Sequence, residues 1–284
     1  MNGLSGVGRI LPAEDAHRPS VARGYTLRLM HALVTGASAG IGEAIAKRLA
    51  AAGYDLTLVA RREAELERVA SELRGTVKAR CQVADLSAVD SLAALVETAE
   101  EALGPIDVLV NNAGIQVVGP TPEISAEDGE RLLTVNVFAP FRLTLLLLPR
   151  MLERGQGTIV DIASLAALAP TLGMFHYSAS KAALAAASEA LRAEVAPGGV
   201  HVVTVYPGPV ETNMASAAVD RYAKDPTKGL PVGNTTQLAE RVLSAIDRRK
   251  ARVIYPRVYA VARYFPGLTR WVMDRFSPRP TSLG

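Results

Sequence analysis

Residues 35–42 read TGASAGIG, from Thr35 to Gly42, and lie between the apolar run HALVTG (31–36) and the helical pattern IGEAIAKRLAAAG (41–53). A glycine-rich turn that leaves a strand and opens a helix is where a parallel sheet receives a dinucleotide. Gly36 permits the tight exit from the strand, Gly40 lets backbone approach a pyrophosphate, and Gly42 lets the helix pack close to the sheet. Amides at the helix start then face the phosphates, so Ser38 and Ile41 count among the expected cofactor contacts. The spacing, Gly-x-x-x-Gly-x-Gly, is one residue longer than the common fingerprint. Alone, such a turn is weak evidence.

Outward from it the chain alternates short β-branched runs with longer amphipathic ones: YDLTLVAR, VKARCQV, IDVLVNNAG, GTIVDIAS, VHVVTVYPG and ARVIYP, each but the last followed by a helical or loop segment. Nearly continuous apolar strands mean burial on both faces. Several helical segments end at glycine, at Gly53, Gly75, Gly104 and Gly155. The pattern predicts a single-domain, Rossmann-type doubly wound parallel α/β sheet of about seven strands, helices on both faces, over residues 30–256. Residues 1–29 lack periodicity and the apolar core of a signal peptide, and are expected to be a flexible N-terminal extension. Residues 257–284 follow as an amphipathic tail.

The 284 residues are 49% hydrophobic and 21% charged, with a net charge of +3. Lysine and arginine are mixed with acids along the chain, so no nucleic-acid footprint is expected. The lone Cys81 allows no internal disulfide, suits a cytoplasmic location, and is read as a packing thiol. No unbroken apolar run reaches the length of a membrane span. No metal-binding set is read.

Arg61 and Arg62 follow the second strand run. An acidic residue there would take the ribose hydroxyls of NAD, whereas two guanidiniums suit a 2′-phosphate, so NADP(H) is expected over NAD(H). The alternative is a solvated helix start pairing with Glu63 and Glu65. Asp85, followed by Leu86, could accept from the adenine amino group or cap the helix starting near Ser87; Ser87 competes for the cap and leaves Asp85 freer. Asn111 and Asn112 end the fourth strand run, and the small Ala113 and Gly114 permit close approach of cofactor.

Ser164 ends the fifth strand run, and Tyr177 and Lys181 lie in YSASK at a helix start, four apart and so on one face. Both places sit at the sheet edge where the glycine-rich turn opens. Reduction of a carbonyl needs a proton for the developing oxyanion. A phenol titrating near 10 is a weak base at neutral pH, and a nearby ammonium lowers that value. Tyr177 then serves as general acid or base and Ser164 stabilises the substrate oxygen. Each residue alone has a bland reading, as packing, solvated or turn residue; all three below the glycine-rich turn do not.

TGASAGIG, Asp85-Leu86, NNAG (111–114), Asn136 in TVNVF, Ser164, YSASK (177–181) and PGPVET (207–212) together resemble the short-chain dehydrogenase/reductase family over residues 30–256, including its separation of thirteen residues between Ser and Tyr. The resemblance implies that Asn136 holds a water linking Lys181 to solvent, that Lys181 and Tyr177 also contact the nicotinamide ribose, and that Pro207, Gly208 and Thr212 meet the nicotinamide amide. It implies a homodimer or homotetramer through helices near 125–150 and 178–195. One departure is Ala39, where many NADP-using relatives carry a basic residue. The bland alternative for Asn136 is a polar kink in a long apolar helix.

Residues 211–234 carry scattered Pro and Gly and are expected to form a mobile lid. Leu165, Met174, Phe175 and Met214 are candidate lining for a hydrophobic carbonyl or alcohol substrate. The tail, with aromatics among Arg257, Arg263, Arg270 and Arg275, is expected to pack on the domain or a partner subunit, contact with a membrane surface being the lesser alternative. An epimerase or dehydratase, or a non-catalytic dinucleotide sensor, are the competing functions. The first usually needs a longer C-terminal domain, and the second tends to lack Tyr or Lys.

Overall fold

The computed structural model describes residues 29–282; the expected N-terminal extension, but for its last residue, lies outside the described residues. Strands β1 (His31–Thr35), β2 (Asp55–Ala60), β3 (Ala79–Val83), β4 (Ile106–Asn111), β5 (Gly157–Ile162), β6 (Val200–Pro207) and β7 (Arg252–Tyr255) form one sheet, ordered β3-β2-β1-β4-β5-β6-β7 with every pairing parallel. The chain starts in the middle, winds to one edge, returns across β1 and winds to the other. The crossover point between β1 and β4 opens a crevice at the C-terminal ends of the strands.

Alternation along the strands explains why neither face is wet. Ala32 and Val34 of β1, Val108 and Val110 of β4, and Val160 and Ile162 of β5 join one core. Leu33, Leu109 and Ile159, one residue out of phase, join the other. Helices α1 (Gly40–Ala51), α2 (Glu63–Leu73) and α8 (Thr235–Asp247) cover the first face, burying Ile45, Leu49, Leu66, Val69, Leu238 and Val242. The second face is covered by α3 (Leu92–Leu103), α5 (Ala139–Glu153) and the long α6 (Phe175–Val195). Each fully buried Leu or Ile contributes about 1.5–3 kcal/mol. The four glycines expected to end helices follow α1, α2, α3 and α5.

Three local expectations change. The helix after β3 begins at Leu92, beyond a 3₁₀ turn at Val89–Ser91, not near Ser87. The stretch 211–234 is not wholly irregular: α7 (Asn213–Val219) lies within it, capped by Thr212, whose Oγ1 accepts from the Ala215 amide at 3.1 Å. The long helix 126–153 is three pieces, α4 (Ala126–Leu133), a π turn (Thr134–Phe138) and α5. It also holds a window of mean hydropathy 1.7, apolar enough by length and composition to cross a membrane. No unbroken apolar run betrays that window in the sequence. Half of it is buried inside the protein, as a core helix of a doubly wound fold must be.

Beyond β7 the tail forms a 3₁₀ turn (Arg257–Ala260), the short α9 (Val261–Tyr264) and α10 (Pro266–Phe276). Cys81 is partly buried against the core, and burial pushes its thiol up to about 12, so it stays a protonated packing group at neutral pH.

Candidate active site

The turn after β1 is locked by close approach. Gly36 has φ 66°, and a Cβ there would stand 2.8 Å from Asn112 Nδ2 and 2.9 Å from Ala113 Cα. A Cβ at Gly42 would fall 2.2 Å from the Gly36 carbonyl oxygen. Asn112 Nδ2 donates to the carbonyls of Thr35 (2.9 Å) and Gly36 (3.2 Å). The Thr35 hydroxyl accepts from the amides of Asn112 and Ala113, both at 3.0 Å, and donates to the Val110 carbonyl. Thr35 thus pins the β4 end to the glycine-rich turn, a role hidden in sequence because a strand-end threonine has no pattern of its own.

Helix α1 has Ala39 at its N-cap and no side-chain cap. Its first amides are therefore left to a ligand, and an anion is what they attract. Across the crevice, Thr212 lies opposite Gly40, where an added Cβ would be 3.3 Å from Thr212 Cγ2. Arg62 Nη2 donates to Ser38 Oγ at 3.4 Å and pairs with Glu65 at 3.2 Å. Arg61 faces Asp85 at 3.9 Å. Both arginines are exposed on the crevice wall; of the alternative pairings with Glu63 and Glu65, the one with Glu65 is made, by Arg62. Uncapped amides, two guanidiniums and a tight glycine cradle fit a dinucleotide phosphate.

Asp85 is not free. Its Oδ1 accepts from the amide and the hydroxyl of Ser87, at 2.9 and 2.8 Å. The Ser87 amide bond foremost, then the Ser87 hydroxyl and the Arg61 and Arg131 charges, hold its carboxyl below the usual value against partial burial. Ser87 does not compete for a cap; it occupies Asp85. Leu86 beside it is buried.

Ser164 leaves β5 and caps a 3₁₀ turn (Leu165–Ala167) by accepting from the Ala166 amide at 3.1 Å. Tyr177 and Lys181 come from the first turns of α6, and all three line the same crevice as the glycine-rich turn. Lys181 is buried, its Nζ 5.9 Å from the Tyr177 ring centre. Burial, opposed by the Asp161 carboxylate, brings its ammonium down to about 8. The expectation that this ammonium depresses the phenol does not hold in this arrangement. Lys181 Nζ donates to the Ile162 carbonyl at 2.8 Å, and burial raises Tyr177 above 10, with Ser164 hydrogen bonding opposing.

Asn136 is fully buried in the π turn. Its Oδ1 accepts from the Ile115 amide (2.8 Å), and its Nδ2 donates to the Ile115 carbonyl (2.9 Å) and to Ser180 Oγ (3.0 Å). The expected polar kink takes the form of this π turn, which presents Asn136 off the regular face of the helix. Gly114 makes room for it: a Cβ there would be 3.2 Å from Asn136 Oδ1 and 3.4 Å from Lys181 Nζ.

Behind Lys181 lies a carboxylate that the sequence did not flag. Asp161 of β5 is buried and accepts from Asn111 Nδ2 at 2.8 Å. Burial lifts it to about 6, with Asn111, Ser188 and the Lys181 charge opposing. A single acid in an apolar strand gives no signal until the fold puts α6 over it.

Pro207 and Gly208 end β6 on the crevice wall, and the Gly208 amide donates to the Tyr255 carbonyl at 2.7 Å. Of the expected apolar lining, Leu165, Met174 and Met214 face the crevice. Phe175 instead points outward and packs edge-on against the His176 ring at 4.9 Å. Further apolar lining comes from the tail, through Leu268, Val272, Met273 and Phe276. The crevice holds 1960 Å³, room for a dinucleotide and a second molecule.

Residues 30–223 match the family described as short chain dehydrogenase. The chain belongs to that family. It is 37% identical over 251 residues to the fatty acyl-CoA reductase Rv0547c of Mycobacterium tuberculosis, covering 84% of this chain and 81% of that protein. The short-chain dehydrogenase of Sphingobium yanoikuyae, solved in complex with NADPH, is 35% identical with a TM-score of 0.74, over 87% of this chain and 96% of that one. The 3-ketoacyl-(acyl-carrier-protein) reductase of Brucella melitensis, solved with NADH, is 30% identical with a TM-score of 0.71, over 81% and 98%. As a short-chain dehydrogenase this protein is an NAD(P)-dependent oxidoreductase acting on a small molecule.

Proposed function

We propose that the protein transfers hydride between NADP(H) and a hydrophobic ketone, aldehyde or secondary alcohol, with Tyr177 as general acid in reduction and general base in oxidation. The observation that carries this is the meeting of Ser164, Tyr177 and Lys181 in the crevice that the glycine-rich turn opens. The bound nicotinamide supplies or accepts the hydride. Tyr177, kept protonated by burial, is suited to donate to the developing alkoxide. Ser164 Oγ stabilises that oxygen. Lys181, near 8, is mostly an ammonium at neutral pH; once Tyr177 has given its proton to the alkoxide, Lys181 supplies the proton that restores the phenol and is itself reprotonated from solvent. Asn136, Gly114 and Ile115 hold the entrance of a water relay to Lys181.

Preference for NADP rests on Arg61, Arg62 and Ser38 rather than on relatives, since neighbours were solved with either nicotinamide. An apolar chain on the substrate is supported by Leu165, Met174, Met214 and the tail side chains in the crevice, and by a relative named for fatty acyl-CoA reduction. A homodimer or homotetramer in the cytoplasm completes the proposal, with Phe138 and Leu145 exposed on the α5 side.

The test is a series of aldehydes and ketones of rising chain length with NADPH and NADH, followed by nicotinamide absorbance. Oxidation of NADPH, faster with long apolar chains, is expected. Cofactor binding with no turnover of any carbonyl would leave a sensor instead, and product formation without net nicotinamide change would leave an epimerase.

A further inference from the structure

Helices α9 and α10 line the mouth of the crevice with Leu268, Val272, Met273 and Phe276. Both helices nevertheless leave large apolar groups in solvent: Tyr264 is 72% exposed, Phe265 61%, Trp271 61% and Phe276, edge-on to Trp271, 65%. Only Ala262 is buried in either helix. The segment is fastened to the domain by polar straps instead. Arg263 pairs with Glu189 at 3.7 Å, Arg270 Nη1 donates to the Pro170 carbonyl at 3.2 Å, and the Tyr259 hydroxyl donates to the Pro231 carbonyl at 2.9 Å. The Thr281 amide donates to the Arg221 carbonyl at 2.8 Å. A contiguous exposed apolar patch of this kind marks a contact surface.

Charge says what covers it. Residues 257–282 carry five arginines, Arg257, Arg263, Arg270, Arg275 and Arg279, against one acid, Asp274, which Arg270 already holds. Arg257, Arg275 and Arg279 are exposed and have no carboxylate partner among the described residues. A second copy docked on this face would bring arginines against arginines, which costs affinity. An anionic phospholipid surface suits both halves of the pattern, because Trp and Tyr settle at headgroup level and arginines draw acidic lipid.

We propose that residues 257–279 dock on a bilayer surface carrying anionic phospholipid, with the crevice mouth held at headgroup level. A long-chain carbonyl then reaches Tyr177 from the acyl layer without crossing water. The docking stands on the outer surface alone; only the entry of substrate rests on the function proposed above.

Trp271 is the single tryptophan of the chain, so its emission reports this face directly. The intact protein is mixed with phosphatidylcholine vesicles, plain or with about one-third phosphatidylglycerol. Expected are a blue shift and co-sedimentation with the anionic vesicles only, both reversed by molar salt. Arg275→Gln with Arg279→Gln is expected to weaken binding about thirtyfold. Trp271→Ser with Phe265→Ser abolishes co-sedimentation with NADPH affinity and melting temperature retained. No shift and no co-sedimentation overturns docking on lipid. So does a fall in oligomer mass for the Trp271/Phe265 variant by light scattering, which would give the face to a second copy. Neither readout needs turnover, so a negative result leaves the oxidoreductase proposal intact, and inactivity on every carbonyl leaves a positive lipid result standing.

Discussion

The nucleotide side of the crevice, between β1 and β4, and the substrate side, from β5 to the tail, are held together differently. On the nucleotide side the contacts are backbone to backbone or through short side chains: Gly42 against Gly36, Thr35 and Asn112 bridging the two strand ends. On the substrate side long side chains from distant segments meet, with α10 reaching over the crevice and Arg270 tied to Pro170 a hundred residues away. A surface that meets a fixed ligand can be made of backbone, which tolerates no added atom. A surface that meets a particular substrate is made of side chains, which can be exchanged without disturbing the sheet.

Substitutions can break that contrast or sharpen it. The largest effect is expected at Tyr177, where chemistry and not architecture is lost. Tyr177→Phe should lower kcat by about 10³-fold or more, with NADPH affinity by fluorescence titration nearly unchanged. Turnover close to that of the parent would remove Tyr177 from its role. Next comes Gly42→Ala. Its Cβ has backbone oxygen 2.2 Å away, so nothing flexible can yield, and overpacking should cost about 1–3 kcal/mol, seen as a lower melting temperature with loss of cofactor binding. A well-folded variant that still binds NADPH would mean that the nucleotide wall is softer than its geometry implies.

Smaller is the effect of Arg61→Ala with Arg62→Ala, expected to cut the preference for NADPH over NADH by about 10–100-fold through loss of charge-assisted hydrogen bonds, measured as the ratio of kcat/KM values. An unchanged ratio would return both arginines to the solvated helix start that Glu65 already marks for one of them.

The smallest and most diagnostic substitution is Asp161→Asn. Burial holds this carboxyl at about 6, above its ordinary 3.8. Its contribution to stability is thus fully present below about 4 and is lost as pH rises through 6. Asparagine, which does not ionise, should flatten the decline of stability across that window, by about 1–3 kcal/mol, read from melting temperature as a function of pH. Removing the negative charge also lets Lys181 fall below about 8, so the alkaline limb of kcat/KM should move to lower pH by about one unit. A variant that loses activity at every pH without moving the limb would make Asp161 merely structural.

These residues also divide by what sequence alone reveals. Gly36, Gly42, Tyr177 and Lys181 were legible because their meaning is local: a turn needs its glycines, and residues four apart on a helix share a face. The succession of strands and helices, and with it the doubly wound fold, followed from alternation of short buried runs with amphipathic ones. Asp161, Thr35 and the tail wall were not legible, since each acquires its role from a neighbour distant in sequence. Asp85 misled for the opposite reason, as the Ser87 two residues on, taken as a rival, is its partner. Phe175 misled because proximity to Tyr177 along the chain says nothing about which way a ring at the very start of a helix will turn.

The π turn at Thr134–Phe138 carries one residue more than a regular helix would use over the same rise. It divides the long segment into two helices whose faces are offset by about 100°, one residue's rotation. The chain could lose that residue and gain a straighter, better-bonded rod. It would then aim Asn136 away from Ile115 and Ser180, or turn the Leu143 and Leu147 side of α5 off the sheet. For this stretch, the sequence that would make the best helix and the sequence that makes the enzyme differ by a single deletion.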